Sequence, residues 1–386
     1  MKCRILYLKW GITGEYDVGL AFEKLPFEVF VYAAKPESVD YDTQYLKAVG
    51  EQIVKVQCDV VFSLNYIPIV SRVCQLAGVP YVTWTLDSPE IMLYSKTLSN
   101  DCNRTFLFDR EMCRRFAPYA APGQVYYQEL GTNVERWDSV TVTREDRERY
   151  GADVSFVGSL YSEKCPYNQI CFSDEYVKGM AEGLVQSQLL VYGYNFLAEA
   201  MPQEMVQRLR QEAAYSDLGE DYHQVDRELL ADQFLGLKCT EQERINMLTA
   251  LAEKFSVDIY TQSDTSCIPG IHNRGIVDYE VGMAKVLKCS KINLNFTSKP
   301  IKTGLPLRIF DILGCGGFLI TNYQEQLQEH FEIGKELVVY ESREDLLEKV
   351  EYYLHHDAQR CEIARRGYER VKRDYRLEQQ LEKIFS

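Results

Sequence analysis

Several features that mark common protein classes are missing from this sequence. Its twelve cysteines are scattered and include no CxxC pair, so no disulfide framework is indicated, and we expect reduced thiols in a cytoplasmic protein. No run of eighteen apolar residues occurs, which predicts no integral membrane segment. The first predicted strand is not followed by GxGxxG, the loop typical of dinucleotide-binding domains.

Positive charge and histidine are also scarce. The chain has 43 Lys and Arg against 57 Asp and Glu, a net charge of −14, which argues against nucleic acid or anionic lipid as the main partner. All five histidines lie at or after His223, so the first part of the chain has none to act as a catalytic base.

Two series of short apolar runs alternate with helical patterns, as in doubly wound α/β domains. The first series predicts the strands Cys3–Leu8, Phe27–Tyr32, Asp59–Leu64, Pro80–Thr85, Thr105–Phe108 and Gln124–Leu130. The second predicts the strands Ala152–Gly158, Val257–Thr261, Lys291–Thr297, Phe318–Ile320 and Glu336–Tyr340. With 386 residues, the chain is long enough for two or three domains.

The two series define the predicted domain boundaries. A first domain covers 1–133, and a charged run without a strong apolar period, 134–151, is the predicted linker. The second domain covers 152–374. Within it, 173–254 is helical and poor in strands, which indicates a helical insertion.

The least typical stretch for so acidic a chain is 281–310, which contains six cations and no acid. It leads through a loop with Lys302 and Gly304 into a predicted helix that carries Arg308 and, one turn later, Asp311. Free amide groups at a helix N-terminus and nearby cations together favour a phosphate ligand, and a carboxylate beside them can accept sugar hydroxyls. The same pattern is compatible with a buried βαβ unit that has a solvated lysine loop.

Two further candidates lie at the ends of first-domain strands. Gly11 and Gly14 would let the backbone approach a ligand after the first strand, although they also suit a tight turn. Asp87 follows the strand Pro80–Thr85, where open α/β sheets place ligand groups, and it could equally cap the next turn. Asp40 and Asp42 form the sequence's DxD, which we interpret as a solvated loop and not a metal site.

The stretch Lys291–Thr321 resembles the donor-binding segment of GT-B glycosyltransferases. Their Glu-x7-Glu motif has its second Glu at Asp311 and its first at Thr303, which is a departure. Lys164 in GSLYSEK matches the diphosphate-binding Lys of these enzymes, whereas Ser159 replaces their Arg. More closely, the chain is similar to the CgeB-like, spore-maturation-type bacterial family in INLNFT, KTGLPLRIFDILGCGGFLIT, YESREDLLEKVEYYL, DVVFSLNYIP and GVPYVTWTLDSP.

This resemblance implies a GT-B fold, with two Rossmann-like domains that face each other across a cleft and a C-terminal helix, 375–386, that returns to the first domain. It implies a cytoplasmic, metal-independent and retaining glycosyltransferase, whose only cofactor-like ligand is a nucleotide-diphosphate-sugar donor and whose acceptor is unknown. The expected catalytic residues are Asp87 and Asp311. The expected donor-binding residues are Gly11, Lys164, Arg274, Lys302, Thr303, Gly304, Arg308 and Asp311.

Two other functions stay open at this stage. A chain that lacks the usual Glu at Thr303 and the usual Arg at Ser159 could be a non-catalytic protein that binds a nucleotide or sugar. An NAD-dependent oxidoreductase could use the first strand and loop, although the missing GxGxxG disfavours it.

Overall fold

The computed structural model describes residues 2–213 and 218–386, and contacts divide the chain into two compact units. The first unit consists of Met1–Gly131, Asp217–Val225 and Arg376–Ser386, and the second of Thr132–Ser216 and Asp226–Tyr375. Among the described residues, no helix is both long and apolar enough to cross a membrane.

The first unit contains a parallel sheet of six strands in the order β2-β1-β3-β4-β5-β6. Its strands are β1 (Arg4–Lys9), β2 (Glu28–Ala33), β3 (Val60–Leu64), β4 (Tyr81–Thr85), β5 (Asn103–Leu107) and β6 (Val125–Tyr127). The first helices are α1 (Glu15–Phe22), α2 (Thr43–Val56), α3 (Pro68–Ala77) and α4 (Arg110–Phe116). Every residue of β3 and β4 is buried, because helices cover both faces of a parallel sheet, and this produces their continuous apolar runs.

The second unit contains another parallel sheet of six strands, in the order β12-β11-β10-β7-β8-β9. Its strands are β7 (Ala152–Val157), β8 (Val257–Tyr260), β9 (His272–Asn273), β10 (Ser290–Asn295), β11 (Leu319–Asn322) and β12 (Val338–Tyr340). Its helices are α5 (Val134–Ser139), α6 (Arg144–Tyr150), α7 (Glu175–Leu189), α8 (Leu197–Ala200), α9 (Gln203–Ala213), α10 (Asp226–Leu229), α11 (Leu237–Ala252), α12 (Gly282–Cys289), α13 (Leu307–Gly314), α14 (Leu327–His330), α15 (Arg343–His355) and α16 (Asp357–Asp374).

The prediction of two doubly wound α/β domains with a helical insertion in the second is confirmed. The insertion consists of α7 to α11 and has an apolar core of its own. A π-helical segment, Leu230–Gly236, joins α10 to α11, so that 226–252 is continuous helix. The short edge strand β9 was not predicted, because two exposed polar residues carry no apolar alternation.

Strand order reverses once in each sheet, and ligands of open α/β sheets bind at such switch points, beyond the carboxyl ends of the strands. In the first unit the reversal lies between β1 and β3, and in the second it lies between β7 and β10. These two edges are therefore where functional side chains are expected.

The last helix, α17 (Leu377–Phe385), belongs to the first unit, where it packs against α1. The Phe385 ring lies 5.8 Å from that of Phe22, 5.3 Å from that of Phe27 and 5.5 Å from that of Phe62, between ring centroids. Phe62 lies in β3 and is fully buried, so the aromatic cluster packs α17 against the sheet of the first unit.

Phe385→Ala should lower the free energy of unfolding by about 2–3 kcal/mol, because it removes one ring from this cluster at a half-buried position. Urea unfolding followed by circular dichroism measures the change. Glu382→Ala alters the exposed face of the same helix and should stay within about 0.5 kcal/mol of the wild type. Equal losses in both variants would contradict an anchoring role for the ring.

Candidate functional site

Arg244 of α11 donates hydrogen bonds to both loops at the switch point of the second sheet. Its Nη1 donates to the carbonyl oxygen of Ser159 at 2.5 Å, and its Nη2 donates to that of Phe296 at 2.6 Å. Ser159 follows β7 and Phe296 follows β10, so one guanidinium joins the loops on either side of the reversal. Arg244 is 8% exposed, and its Cζ lies 4.8 Å from the ring centroid of Tyr161.

Each of the six cations in the acid-free stretch 281–310 contacts a polar group that lies outside that stretch. Lys288 donates to the carbonyl oxygens of Trp137 and Val140. The ion pairs are Lys285–Asp146 (2.9 Å), Lys291–Asp153 (2.7 Å), Lys299–Glu243 (3.3 Å), Lys302–Asp232 (3.9 Å) and Arg308–Asp311 (3.4 Å). Four of the six cations are thus balanced by acids distant in the chain, Arg308 by Asp311 three residues later, and Lys288 by two carbonyl oxygens.

The loop between β10 and α13 is packed into the protein, so the alternative of a solvated lysine loop is wrong. The side chains of Lys299 and Lys302 are only 9% and 13% exposed. Asn195 donates to the Lys299 carbonyl oxygen at 2.7 Å, and Thr303 donates to Gln326 at 2.8 Å. Gln324 donates to the carbonyl oxygen of the buried Gly304 at 3.4 Å, so the insertion and the segment after β11 fix this loop.

Asp311 is the carboxylate at the centre of a buried hydrogen-bond network and is 1% exposed. It accepts hydrogen bonds from Thr132 Oγ1 at 2.9 Å and Tyr279 OH at 3.1 Å, in addition to its pair with Arg308. The indole N–H of Trp137 donates to the same Thr132 hydroxyl at 2.7 Å. Asp311 therefore joins α13 to two other segments, and its role toward a donor stays a prediction.

Lys164 and Arg274 are the most exposed of the predicted donor-binding cations, ahead of Arg308, whose side chain is 26% exposed. Lys164 is exposed in the loop after β7, and Arg274, with a side chain 49% exposed, follows β9. Asp258 of β8 accepts from Arg274 Nε at 2.8 Å and Nη2 at 3.2 Å, and it lies 3.2 Å from Nδ1 of His272. The hydrogen bonds from Asp258 raise the pKa of Arg274 and hold its planar head in one orientation.

In the first unit, the Glu15 side chain accepts hydrogen bonds from the backbone of the loop after β1. Its carboxylate accepts from the backbone N–H of Trp10 at 2.8 Å and from that of Gly11 at 3.0 Å. Gly11 adopts a φ of +90°, which a residue with a side chain rarely adopts, and Glu15 is 5% exposed. The amide predicted to meet the donor is therefore already bound to a carboxylate, and the donor role of Gly11 stays a prediction.

Two carboxylic acids with different surroundings follow β4. Asp87 is exposed, and Asn65 donates to its Oδ2 at 2.6 Å, while the Asn65 Oδ1 accepts from the Leu86 backbone at 2.8 Å. Glu90 is 8% exposed, and its Oε1 accepts from the Met92 backbone at 3.0 Å. Burial, with a smaller contribution from the charge of Asp87, raises the pKa of Glu90 to about 8.

Glu90 was missed at the sequence level, because its burial depends on chain segments that are distant from it. The only signal was its position three residues after Asp87 at a strand end. A pair of carboxyl groups in such unequal environments is typical of sites that need both an acid and a base.

Both acids of the DxD sequence already accept hydrogen bonds within the first unit. Asp40 accepts from Tyr222 OH at 2.8 Å, and Asp42 caps α2 by accepting from the Tyr45 backbone at 2.8 Å. Across 2–213 and 218–386, no group of three or more His, Cys, Asp or Glu side chains is arranged to hold a metal ion. Metal independence itself stays a prediction.

Glu90→Gln should flatten the dependence of stability on pH. The folded protein retains the Glu90 proton up to about pH 8, whereas this carboxyl in the unfolded chain releases it near pH 4.5. The free energy of unfolding should therefore fall between these values as the pH rises, by up to about 1.4 kcal/mol per pH unit, and the neutral glutamine removes that contribution. Urea unfolding at several pH values in this interval measures the slope.

The matched control is Glu111→Gln, a change of the same charge at a side chain that is 38% exposed in the same unit. It should keep the wild-type slope. If Glu90→Gln also keeps that slope, Glu90 is ionised in the folded protein and cannot serve as an acid near neutral pH.

Comparisons with known proteins agree with this architecture. Residues 243–386 match the sequence profile of a family described as "Glycosyl transferase-like". A comparison with curated protein sequences finds no match. The match covers the second sheet from β8 to β12 and leaves the first unit, apart from α17, outside it.

Solved structures with the same fold cover nearly the whole chain. HepE from Anabaena, in complex with UDP-glucose, has a TM-score of 0.56 and 9% identity over 99% of this chain and 98% of that chain. A glycosyltransferase from Rickettsia africae has a TM-score of 0.53 and 11% identity over 100% and 97%. Sucrose-phosphate synthase from Thermosynechococcus elongatus has a TM-score of 0.53 and 11% identity over 100% and 98%. The two Rossmann-like units thus form a GT-B fold.

Proposed function

We propose that the protein is a glycosyltransferase that moves a sugar from a nucleotide-diphosphate-sugar donor to a hydroxyl of an acceptor. The match of 243–386 to a glycosyl transferase-like family carries the proposal, because a fold alone hosts many chemistries. HepE, which shares the fold, binds UDP-glucose, and this supports a uridine nucleotide as the first donor to test.

We place the donor at the carboxyl ends of the second sheet. The leaving diphosphate accumulates negative charge in the transition state, so fixed cations must face it. Arg274 and Lys164 are the candidates for direct contact, because their side chains reach solvent. Lys302, Thr303, Gly304 and Arg308 then hold the loop before α13 and the start of that helix, since their side chains or carbonyls are bound inside the unit.

The acceptor side of the proposal rests on Asp87 and Glu90. An exposed carboxylate at a strand end can take the proton of an acceptor hydroxyl that comes within hydrogen-bond reach. Asn65 fixes the orientation of Asp87, which favours this role over a freely rotating surface acid. Glu90, still protonated near neutral pH, is suited to donate a hydrogen bond beside it.

Finer features of the proposal rest on the sequence resemblance. We propose a CgeB-like, spore-maturation-type bacterial enzyme that acts in the cytoplasm, retains the anomeric configuration and uses cationic side chains in place of a metal. Anomeric signals of the product in proton NMR test retention, and turnover in the presence of EDTA tests metal independence. A fall in turnover that added divalent cations restore would overturn the latter.

Two competing functions are separated by specific observations. The carboxylate of Glu15 occupies the backbone amides of the β1 loop, where a dinucleotide pyrophosphate would need them, and this disfavours an NAD-dependent oxidoreductase. A non-catalytic binding protein would bind UDP-sugars without releasing UDP. Coupled detection of UDP release, with and without candidate acceptors, separates that function from catalysis.

Arg274→Ala should weaken the binding of UDP by roughly tenfold, because it removes a charge-assisted contact to the diphosphate. Isothermal titration calorimetry measures the affinity. Arg144→Ala removes the same charge at a side chain that is 92% exposed on α6, and it should leave the affinity unchanged. Equal affinity in the wild type and Arg274→Ala would remove Arg274 from the donor site.

Asp311→Asn tests whether the Asp311 carboxylate stabilises the fold or contacts the nucleotide-sugar donor. The variant should lose about 2–4 kcal/mol of unfolding free energy, because its amide cannot accept from Thr132, Tyr279 and Arg308 as the carboxylate does. Urea unfolding and UDP-glucose turnover, both at low temperature, measure the two effects. Normal stability with abolished turnover would instead assign Asp311 to direct donor contact.

A further inference from the structure

Three non-glycine residues among those described adopt a left-handed backbone conformation. They are Gln57, Asn65 and Tyr161, with φ of +47°, +57° and +70°. Gln57 is the C-terminal cap of α2, where chains commonly turn in this way. Asn65 and Tyr161 instead follow β3 and β7, which flank the strand-order reversals of the two sheets. Asn tolerates the left-handed region, whereas a bulky aromatic residue there is an outlier, and such outliers cluster at functional sites.

The turn that contains Tyr161 does not itself require a tyrosine. Glycine adopts the same φ without steric cost. The backbone of the turn is held by other groups, because Ser159 Oγ accepts from the Tyr161 N–H at 2.8 Å and the Tyr161 carbonyl oxygen accepts from the Lys164 N–H at 2.9 Å. The aromatic side chain therefore has a role beyond closing the turn.

Packing inside the second unit uses only part of this side chain. The ring packs against the apolar core of the insertion, and the guanidinium carbon of Arg244 lies 4.8 Å from its centroid. Tyr161 nevertheless stays partly exposed, and its hydroxyl reaches solvent and makes no hydrogen bond to the described residues. The ring is thus fixed by the protein, while its hydroxyl remains available to a ligand.

A sugar matches this side chain better than a phosphate does. A phosphate oxygen needs only a donor, which a backbone N–H or a serine hydroxyl supplies without an aromatic residue in the left-handed region. A pyranose has C–H groups as well as hydroxyls, so it can pack on the ring and bond to the phenolic hydroxyl. Lys164, three residues later, is the proposed contact to the diphosphate, and the transferred sugar is attached to that diphosphate.

We infer that Tyr161 is a specificity-determining residue of the donor site, whose hydroxyl bonds to a hydroxyl of the transferred sugar. The inference rests on the proposed function, because it requires a nucleotide-diphosphate-sugar donor at the carboxyl ends of the second sheet. The rigid turn and the contact with Arg244 hold the ring in one orientation before the donor arrives.

Tyr161→Phe removes the hydroxyl and keeps the ring, and calorimetry with UDP-glucose and with UDP tests its effect. The affinity for UDP-glucose should fall about fivefold through the loss of one hydrogen bond, whereas the affinity for UDP should stay within about twofold. Tyr161→Asn suits the left-handed backbone but removes the ring, and it should weaken UDP-glucose binding at least about tenfold. Tyr176→Phe, the same change at a residue that is 64% exposed on α7, should alter neither affinity.

A purely structural role of Tyr161 would lower the melting temperature and weaken both ligands equally. The inference is therefore overturned if Tyr161→Phe binds UDP-glucose as tightly as the wild type, or if it loses affinity for UDP and UDP-glucose to the same extent. Wild-type protein that binds neither ligand would reject the proposed function as well. Wild-type binding of both ligands with an unchanged Tyr161→Phe variant would reject this inference alone.

Discussion

The second unit depends on charged contacts between one helix and the loops at the switch point of its sheet. The continuous helix 226–252 presents Asp232 to Lys302, Glu243 to Lys299, and Arg244 to the carbonyls that follow β7 and β10. Breaking such a buried pair leaves an unbalanced charge, which costs about 3–5 kcal/mol. These contacts therefore specify the loop geometry at the edge where open α/β sheets bind their ligands, beyond any contribution to stability.

This pairing changes what a basic stretch implies about phosphate binding. Lys302 and Arg308 lie where the sequence predicts a diphosphate site, yet each already faces a carboxylate. A cation held by a carboxylate contributes less attraction to an incoming anion than an isolated one. Arg274 is also paired, but its head stays half exposed, so it can hold Asp258 and meet a phosphate at once. The exposure of each side chain, more than the local density of positive charge in the sequence, therefore decides which cations are candidates for phosphate contact.

Local sequence patterns reveal the strands of both sheets, but they do not reveal the contacts at the candidate site, for a physical reason. Strands such as β3 and β4 are buried on both faces, so local apolar runs reveal them. The partners of Lys299 and Lys302 lie more than fifty residues away in the chain, and no local pattern records them. The burial that raises the pKa of Glu90 is likewise a property of the packed unit, as is the placement of residues 218–225 with the first unit.

The two units differ in the chemistry that they offer, and this difference matches a transfer reaction. The first has two carboxyl groups after β4, the exposed Asp87 and the buried Glu90, and of these Asp87 can take the proton of an acceptor hydroxyl. The second presents Arg274 and Lys164 to solvent, which suits the leaving phosphate. A protein that only binds a nucleotide would need the second set alone. Under the proposed function, the presence of both sets supports catalysis over simple binding.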